Sequence, residues 1–316
     1  MRFSEIVAPQ TSQVVEGHVG DPGPQEVIVR VVLSGVCASE LPVWRAASRQ
    51  VPFRLGHEPF GVVECVGSEV ARFRPGQRVT GLFREAFAEY CTVPEELLLP
   101  VPDEVSDESA MGEPLACLVN AARRTPVDYA DTLVIIGLGY MGLGLLQLLR
   151  LRGAARIVAI DVRPKSLEYA QQFGATETYT LDEVPADLFL TEFAKWDSDA
   201  GAEVVVEASG TPAGLELAGK LVKAHGTLSI LGYHQGAPRQ VDVGMWNWKA
   251  IDVVNAHVRR RADLLESMRI GLELERAGLI NTGALVTHRF GLDEVDAAFQ
   301  ALVDKPEGFI KSVVEP

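Results

Sequence analysis

Cys37, His57 and Glu58 place a thiolate, an imidazole and a carboxylate in two short stretches, "GVCASE" (Gly35–Glu40) and "LGHEPF" (Leu55–Phe60). Both stretches sit at the edges of apolar, strand-like runs, where stability alone does not call for such groups. Sulfur, nitrogen and oxygen donors together suit a borderline-soft cation, zinc above all. A lone histidine is more often structural, so the combination carries the weight. The question is whether the three share one metal ion.

A second constellation is "GLGYMG", formed by Gly137, Leu138, Gly139, Tyr140, Met141 and Gly142. A GxGxxG is weak alone. Here it follows the continuous apolar run "TLVIIG" and opens a helical pattern, and the next strand-like run ends in Asp161, 22 residues after Gly139. That spacing fits a dinucleotide site. Gly137 permits a tight turn, Gly139 lets the backbone approach a pyrophosphate, and Gly142 lets helix and strand pack closely. The helix N-terminus adds free N–H groups and a positive dipole end. The Asp161 carboxylate can accept from both ribose hydroxyls and would repel a 2′-phosphate, which favours NAD over NADP. Arg163 and Lys165 follow closely, and either could meet a phosphate.

These groups need elements to hold them. Up to about residue 120 the chain reads as short strands punctuated by Gly and Pro: 26–37, 60–67, 78–83, 88–94 and 97–102. That pattern predicts a compact, barrel-like β domain. From Asp131 strands alternate with helices. Strands are expected over 202–210, 226–233 and 251–258, and helices over 167–175 and 212–223, which predicts a parallel sheet with right-handed crossovers. The fold class is α/β. Helices over 262–280 and 292–305 and a strand over 308–316 form a tail that returns to the first domain. The expected division is 1–120, completed by 260–316, and 121–259.

The 316 residues are ample for two ordinary domains. A formal charge of −14 argues against nucleic acid or an anionic membrane as partner. The four cysteines, Cys37, Cys65, Cys91 and Cys117, show no disulfide framework. No signal peptide or membrane span is evident, which fits a cytoplasmic setting. Cys65 and Cys91 are expected to be buried thiols.

With "VCASE" (Val36–Glu40), "GHE" (Gly56–Glu58) and "GEPLAC" (Gly112–Cys117) upstream of a dinucleotide fold, the chain resembles the zinc-dependent medium-chain dehydrogenases/reductases. It is most similar to their sorbitol-dehydrogenase-like branch of alcohol and polyol dehydrogenases. The resemblance covers essentially the whole length. It implies a GroES-like β-barrel catalytic domain, a Rossmann doubly wound domain, and hydride transfer between NAD and a secondary alcohol or ketone of a polyol, sugar or cyclitol.

The resemblance also implies site residues. Cys37, His57 and Glu113 would hold one catalytic zinc, with Glu58 close behind or exchanging as ligand. Ser39 would take the alcohol proton, and Cys117 would lie near the nicotinamide. Trp44, Arg45 and Met245–His257 could line the substrate pocket, although Trp246 and Trp248 read better as packing residues and His257 as a strand or interface residue. A homodimer or homotetramer is the implied assembly.

Departures from the family pattern are visible. Residues 78–94 pass through without the usual structural-zinc cysteine lobe, so one zinc at most is expected. Pro42 replaces a proton-shuttling histidine, and Glu40 stands where Asp is usual. Competing readings are a zinc-free NADPH-dependent enone or quinone reductase and a dinucleotide-binding protein without turnover.

Overall fold

The computed structural model describes residues 1–46 and 50–316. In chain order β1 (Arg2–Ala8) and β2 (Thr11–Glu16) form a hairpin, followed by β3 (Glu26–Gly35), α1 (Leu41–Ala46) and β4 (Glu58–Val66). Then come β5 (Arg78–Gly81), β6 (Tyr90–Pro94), β7 (Leu98–Pro100) and α2 (Gly112–Arg124). The alternating stretch runs β8 (Thr132–Ile136), α3 (Tyr140–Leu149), β9 (Arg156–Ile160), α4 (Pro164–Gln172), β10 (Glu177–Tyr179), β11 (Ala202–Glu207), α5 (Pro212–Leu221), β12 (Val222–Ile230), α6 (Val243–Trp248) and β13 (Asp252–Asn255). Helix α7 (Arg261–Arg276), β14 (Val286–Gly291), α8 (Val295–Asp304) and β15 (Lys311–Glu315) close the sequence. The chain forms two compact units: Met1–Cys117 with Arg260–Pro316, and Leu118–Arg259.

The first unit is organised on β3, whose Val27, Ile28, Val29, Val31 and Val32 favour an extended, packed strand. β3 pairs antiparallel with β4, β6 and β15 in a seven-stranded sheet ordered β14-β15-β3-β4-β5-β7, with β6 added on β3. One core gathers Val29, Val31, Val63, Val79 and Val93. Another gathers Ile6, Leu55, Phe87 and Val314 around Trp44 and Phe299, whose rings stack at 5.2 Å.

The second unit is a six-stranded parallel sheet ordered β10-β9-β8-β11-β12-β13. β8, the first strand, lies beside β11, the fourth, and the order reverses there. In open α/β sheets ligands bind at the carboxyl ends of the strands flanking this point. Val134, Ile136, Val158, Ile160, Val205 and Leu228 fill its core, which is why β8 reads as an unbroken apolar run. Lys249, fully buried, donates from Nζ to the carbonyls of Gly219 (2.8 Å), Lys220 (3.2 Å) and Val222 (2.8 Å). It thereby caps the last turn of α5.

Several boundaries differ from the sequence reading. α5 stops at Leu221 and β12 begins at Val222, earlier than expected, where the Lys249 ammonium gathers the helix-end carbonyls. α4 begins at Pro164 because proline at the first helical position supplies the right φ without losing a bond. β13 ends at Asn255, so His257 lies beyond the strand. Cys65 is partly exposed, because a register shift between its partner Ile28 and Val29 disrupts the alternation of β4. Among the described residues no helix is long and apolar enough to cross a membrane.

Candidate active site

Gly56 sets the approach to the site. Its φ is +97°, and a Cβ there would stand 2.7 Å from the Phe87 nitrogen, so only glycine fits. Its N–H donates to Glu40 Oε1 at 3.0 Å, and the same oxygen lies 3.0 Å from His57 Nδ1. That bond fixes the imidazole and leaves Nε2 for a metal, as carboxylate partners of ligating histidines do. Glu40 sits on the single turn that follows Cys37, where its N–H donates to the Cys37 carbonyl at 3.1 Å. Ser39, on the same turn, donates from Oγ to Cys37 Sγ at 3.2 Å.

Cys37, His57 and Glu58 present ligand atoms that all lie within 4.8 Å of one another. This is the one such group of three among the described residues. The separation is of the order that one zinc ion bridges, with bonds of about 2.0–2.3 Å. Glu113 adjoins the group, and its Oε1 accepts from Cys117 Sγ at 3.5 Å.

Glu58 has a second partner. Its Oε2 accepts from the Lys311 Nζ, which also donates to the Val36 carbonyl at 3.0 Å. Both side chains are buried. Sheet register explains the meeting: Gly35 pairs with Glu58 on one side and with Val313 on the other. The absent side chain matters, because a Cβ on Gly35 would collide with Glu58 Oε2 and stand 3.0 Å from Lys311 Cε.

The electrostatics follow from this crowding. Burial opposes charge on Glu58, but Lys311 and then His57 outweigh it and hold the carboxyl below its usual range. Burial likewise opposes the Lys311 ammonium, and Glu58 with Cys37 raises it. Burial and the neighbouring Glu58 push Glu113 up. Burial and Glu113 push the Cys117 thiol well up. Against its own burial, His57 is raised to about 12 by Cys37 and Glu40. Thiol, imidazole and carboxylate groups gathered this closely form a donor set that fits a divalent metal.

The glycine loop is built for close approach. Gly137 has φ +92°, and a Cβ there would stand 2.5 Å from the Ser209 nitrogen. A Cβ on Gly142 would collide with the Gly137 carbonyl. A Cβ on Gly139 would meet no protein atom within 4 Å, so that space lies open to a ligand. Leu138 and Tyr140 turn their side chains inward and Met141 is half-buried. Asp161 Oδ2 accepts from the Leu138 N–H at 2.7 Å, and Oδ1 accepts from the Arg163 N–H at 2.9 Å and Nε at 3.2 Å. Lys165 is an exposed partner of Glu168 on α4.

Of the suggested pocket residues, Trp44 is a core residue, 2% exposed, stacked on Phe299 and donating to Asp296 Oδ1 at 2.7 Å. A ring of that size completes the α1–α8 packing and cannot also face a substrate. Arg45 is exposed. Trp246 packs against the core of the second unit, and Trp248 meets Phe193 edge-on. His257 packs edge-on against Tyr233 at 5.7 Å. Lys311 escaped the sequence reading because a lysine in a terminal strand looks like a surface residue. Its apolar flanks in "GFIKSVV" were the available signal.

Comparison with known proteins agrees with this layout. The alcohol dehydrogenase GroES-like domain matches residues 23–103, and the zinc-binding dehydrogenase domain matches residues 141–271. The chain is 28% identical to the sorbitol dehydrogenase of Bacillus subtilis (strain 168), over 94% of this chain and 92% of that protein. A zinc-binding dehydrogenase structure from Sinorhizobium meliloti 1021, bound to NADP, superposes with a TM-score of 0.85 at 24% identity, covering 100% of this chain and 99% of that one. An alcohol dehydrogenase structure from Escherichia coli CFT073, complexed with NADH, gives 0.85 at 22% identity with the same coverage. A GroES-like domain and a Rossmann-like parallel sheet, matched along nearly the full length by polyol dehydrogenases, show that the chain belongs to the zinc-type medium-chain alcohol and polyol dehydrogenases, in the sorbitol-dehydrogenase-like branch.

Proposed function

We propose that this dehydrogenase interconverts a secondary alcohol and a ketone on a polyol, sugar or cyclitol, with one catalytic zinc and NAD. The observation that carries the reading is the Cys37–His57–Glu58 group, with the imidazole held by Glu40 so that one nitrogen remains for a metal. Zinc, when bound, supplies Lewis acidity toward the substrate oxygen, and the nicotinamide supplies or accepts the hydride.

The remaining work belongs to the protein. Cys37 and His57 hold the ion, and Glu113 or Glu58 completes the ligand set. Lys311, ion-paired with Glu58, keeps that carboxylate ionised. Ser39, within hydrogen-bond reach of the Cys37 sulfur, takes the hydroxyl proton. Gly139 leaves room for the pyrophosphate, and Asp161 receives the ribose. Cys117, whose thiol donates to Glu113, would hold that carboxylate in place. The relatives' names, sorbitol dehydrogenase foremost, support the polyol assignment.

The edge strand β13, with Val253 exposed, would pair with its copy across a two-fold axis to give a homodimer or a dimer of dimers. A cytoplasmic setting suits the free thiols. The test is elemental analysis of the purified protein together with NAD reduction on a polyol, sugar and cyclitol panel. One zinc per chain with turnover on a polyol supports the reading. A chain that stays metal-free in zinc-supplemented expression and silent on the panel sinks it.

A further inference from the structure

We propose that Arg163 sets the cofactor range: it masks Asp161 in the free chain and becomes the cation for a 2′-phosphate, so NADP is accepted alongside NAD. The inference rests on the reading that the Gly137–Gly142 loop binds a dinucleotide.

The argument starts from the two oxygens of Asp161. A ribose diol needs both as acceptors. Oδ2 already receives the Leu138 N–H at 2.7 Å, and Oδ1 already receives the Arg163 N–H at 2.9 Å. The Arg163 guanidinium then adds Nε to Oδ1 at 3.2 Å, while an Nη reaches the Leu138 carbonyl at 3.2 Å and comes within 3.5 Å of Oδ2. The arginine thus spans from the acid to the glycine loop itself. Only 8% of Asp161 is left exposed.

Two consequences follow for two cofactors. For NAD, the ribose hydroxyls must displace or share the guanidinium, so part of the hydroxyl–carboxylate gain goes to breaking an existing ion pair. For NADP, the 2′-phosphate brings its own acceptor oxygens, and guanidinium binds phosphate through two parallel N–H groups. The Asp161 charge that would repel the phosphate is meanwhile offset by the adjacent cation. An acid at this position ordinarily excludes NADP. Here the acid and its antidote sit two residues apart. Lys165 contributes little, being engaged with Glu168 along the exposed face of α4.

The test is calorimetric binding of NAD, NADP, 5′-AMP and 2′-AMP to the full chain and to its Arg163→Gln and Arg163→Lys variants. Loss of a charge-assisted phosphate contact should weaken NADP and 2′-AMP by about tenfold or more in Arg163→Gln. NAD and 5′-AMP should bind the same variant as tightly as wild type or tighter. Arg163→Lys, a point charge without the planar fork, should fall between. A wild type that binds NAD with no detectable affinity for NADP or 2′-AMP overturns the inference. So does an unchanged NADP-to-NAD ratio in Arg163→Gln. In both cases dinucleotide binding itself survives. A wild type that binds none of the four ligands overturns the loop assignment and this inference together.

Discussion

Glu58 and Lys311 form a buried ion pair across 253 residues of sequence, over a glycine that leaves them room. Removing one partner of such a pair strands a charge away from water, which costs about 3–5 kcal/mol. Lys311→Met should therefore lower stability by about that amount in urea denaturation, and adding Glu58→Gln should recover much of the loss. A Lys311→Met chain as stable as wild type would show that the carboxylate does not depend on this ammonium.

The two glycines that begin the phosphate loop should separate fold from function. Gly139→Ala places a methyl in open space, so the melting temperature should hold while NAD affinity drops by about tenfold or more. Gly137→Ala forces a side chain to φ +92° and against Ser209, so the second unit should lose stability as well. Equal damage to stability from both would remove the distinction.

Zinc binding should release protons. The His57 proton, held up to about 12 by Cys37 and Glu40, must leave before Nε2 can ligate, and Glu113, pushed up by burial and Glu58, favours its own proton. Apparent zinc affinity should rise with pH, and titration in weak buffer should acidify the solution. Cys37→Ser should lower the zinc content measured by elemental analysis. No net proton release on loading would contradict a His57 held protonated by Cys37 and Glu40.

Lys249 gives a stability signature that belongs to the second unit. Burial pushes its ammonium down to about 8, with the three carbonyls offsetting part of that cost. An unfolded lysine holds its proton to about 10.5. Below pH of about 8 both states are charged and the penalty is full. Between the two values folding expels a proton, so stability climbs as pH rises. The urea midpoint of wild type relative to Lys249→Met should increase from about pH 7.5 to about pH 9.5. A constant difference would mean that the carbonyls keep the amine charged throughout.

Much of this was legible in the sequence, for physical reasons that can be named. The β8 strand and its glycine loop declared themselves because a two-sided buried strand must be apolar and a phosphate turn must lack side chains. Cys37, His57 and Glu58 stood out by donor type, and the structure brings their donor atoms together. The hairpin β1–β2 and the short helix α1 were not read, because six or seven residues of mixed polarity carry little periodic signal. Lys311 goes unread and Trp44 is taken for a pocket residue for a shared reason: their environments come from strands and helices distant in sequence. Trp44 is held by Phe299 and Asp296, and Lys311 by Glu58 and Val36. A register across a sheet is invisible to local pattern.

The first unit is stitched from both ends of the chain, with β15 completing β3. On a ribosome, residues 1–117 emerge long before Lys311 exists. Until then Glu58 has no cation, and β3 lacks the β15 neighbour at its Ser34–Gly35 end. The second unit, contiguous in sequence, can fold while synthesis continues. A nascent chain arrested within α8 should therefore resist protease across Leu118–Arg259 yet yield quickly within the first hundred residues.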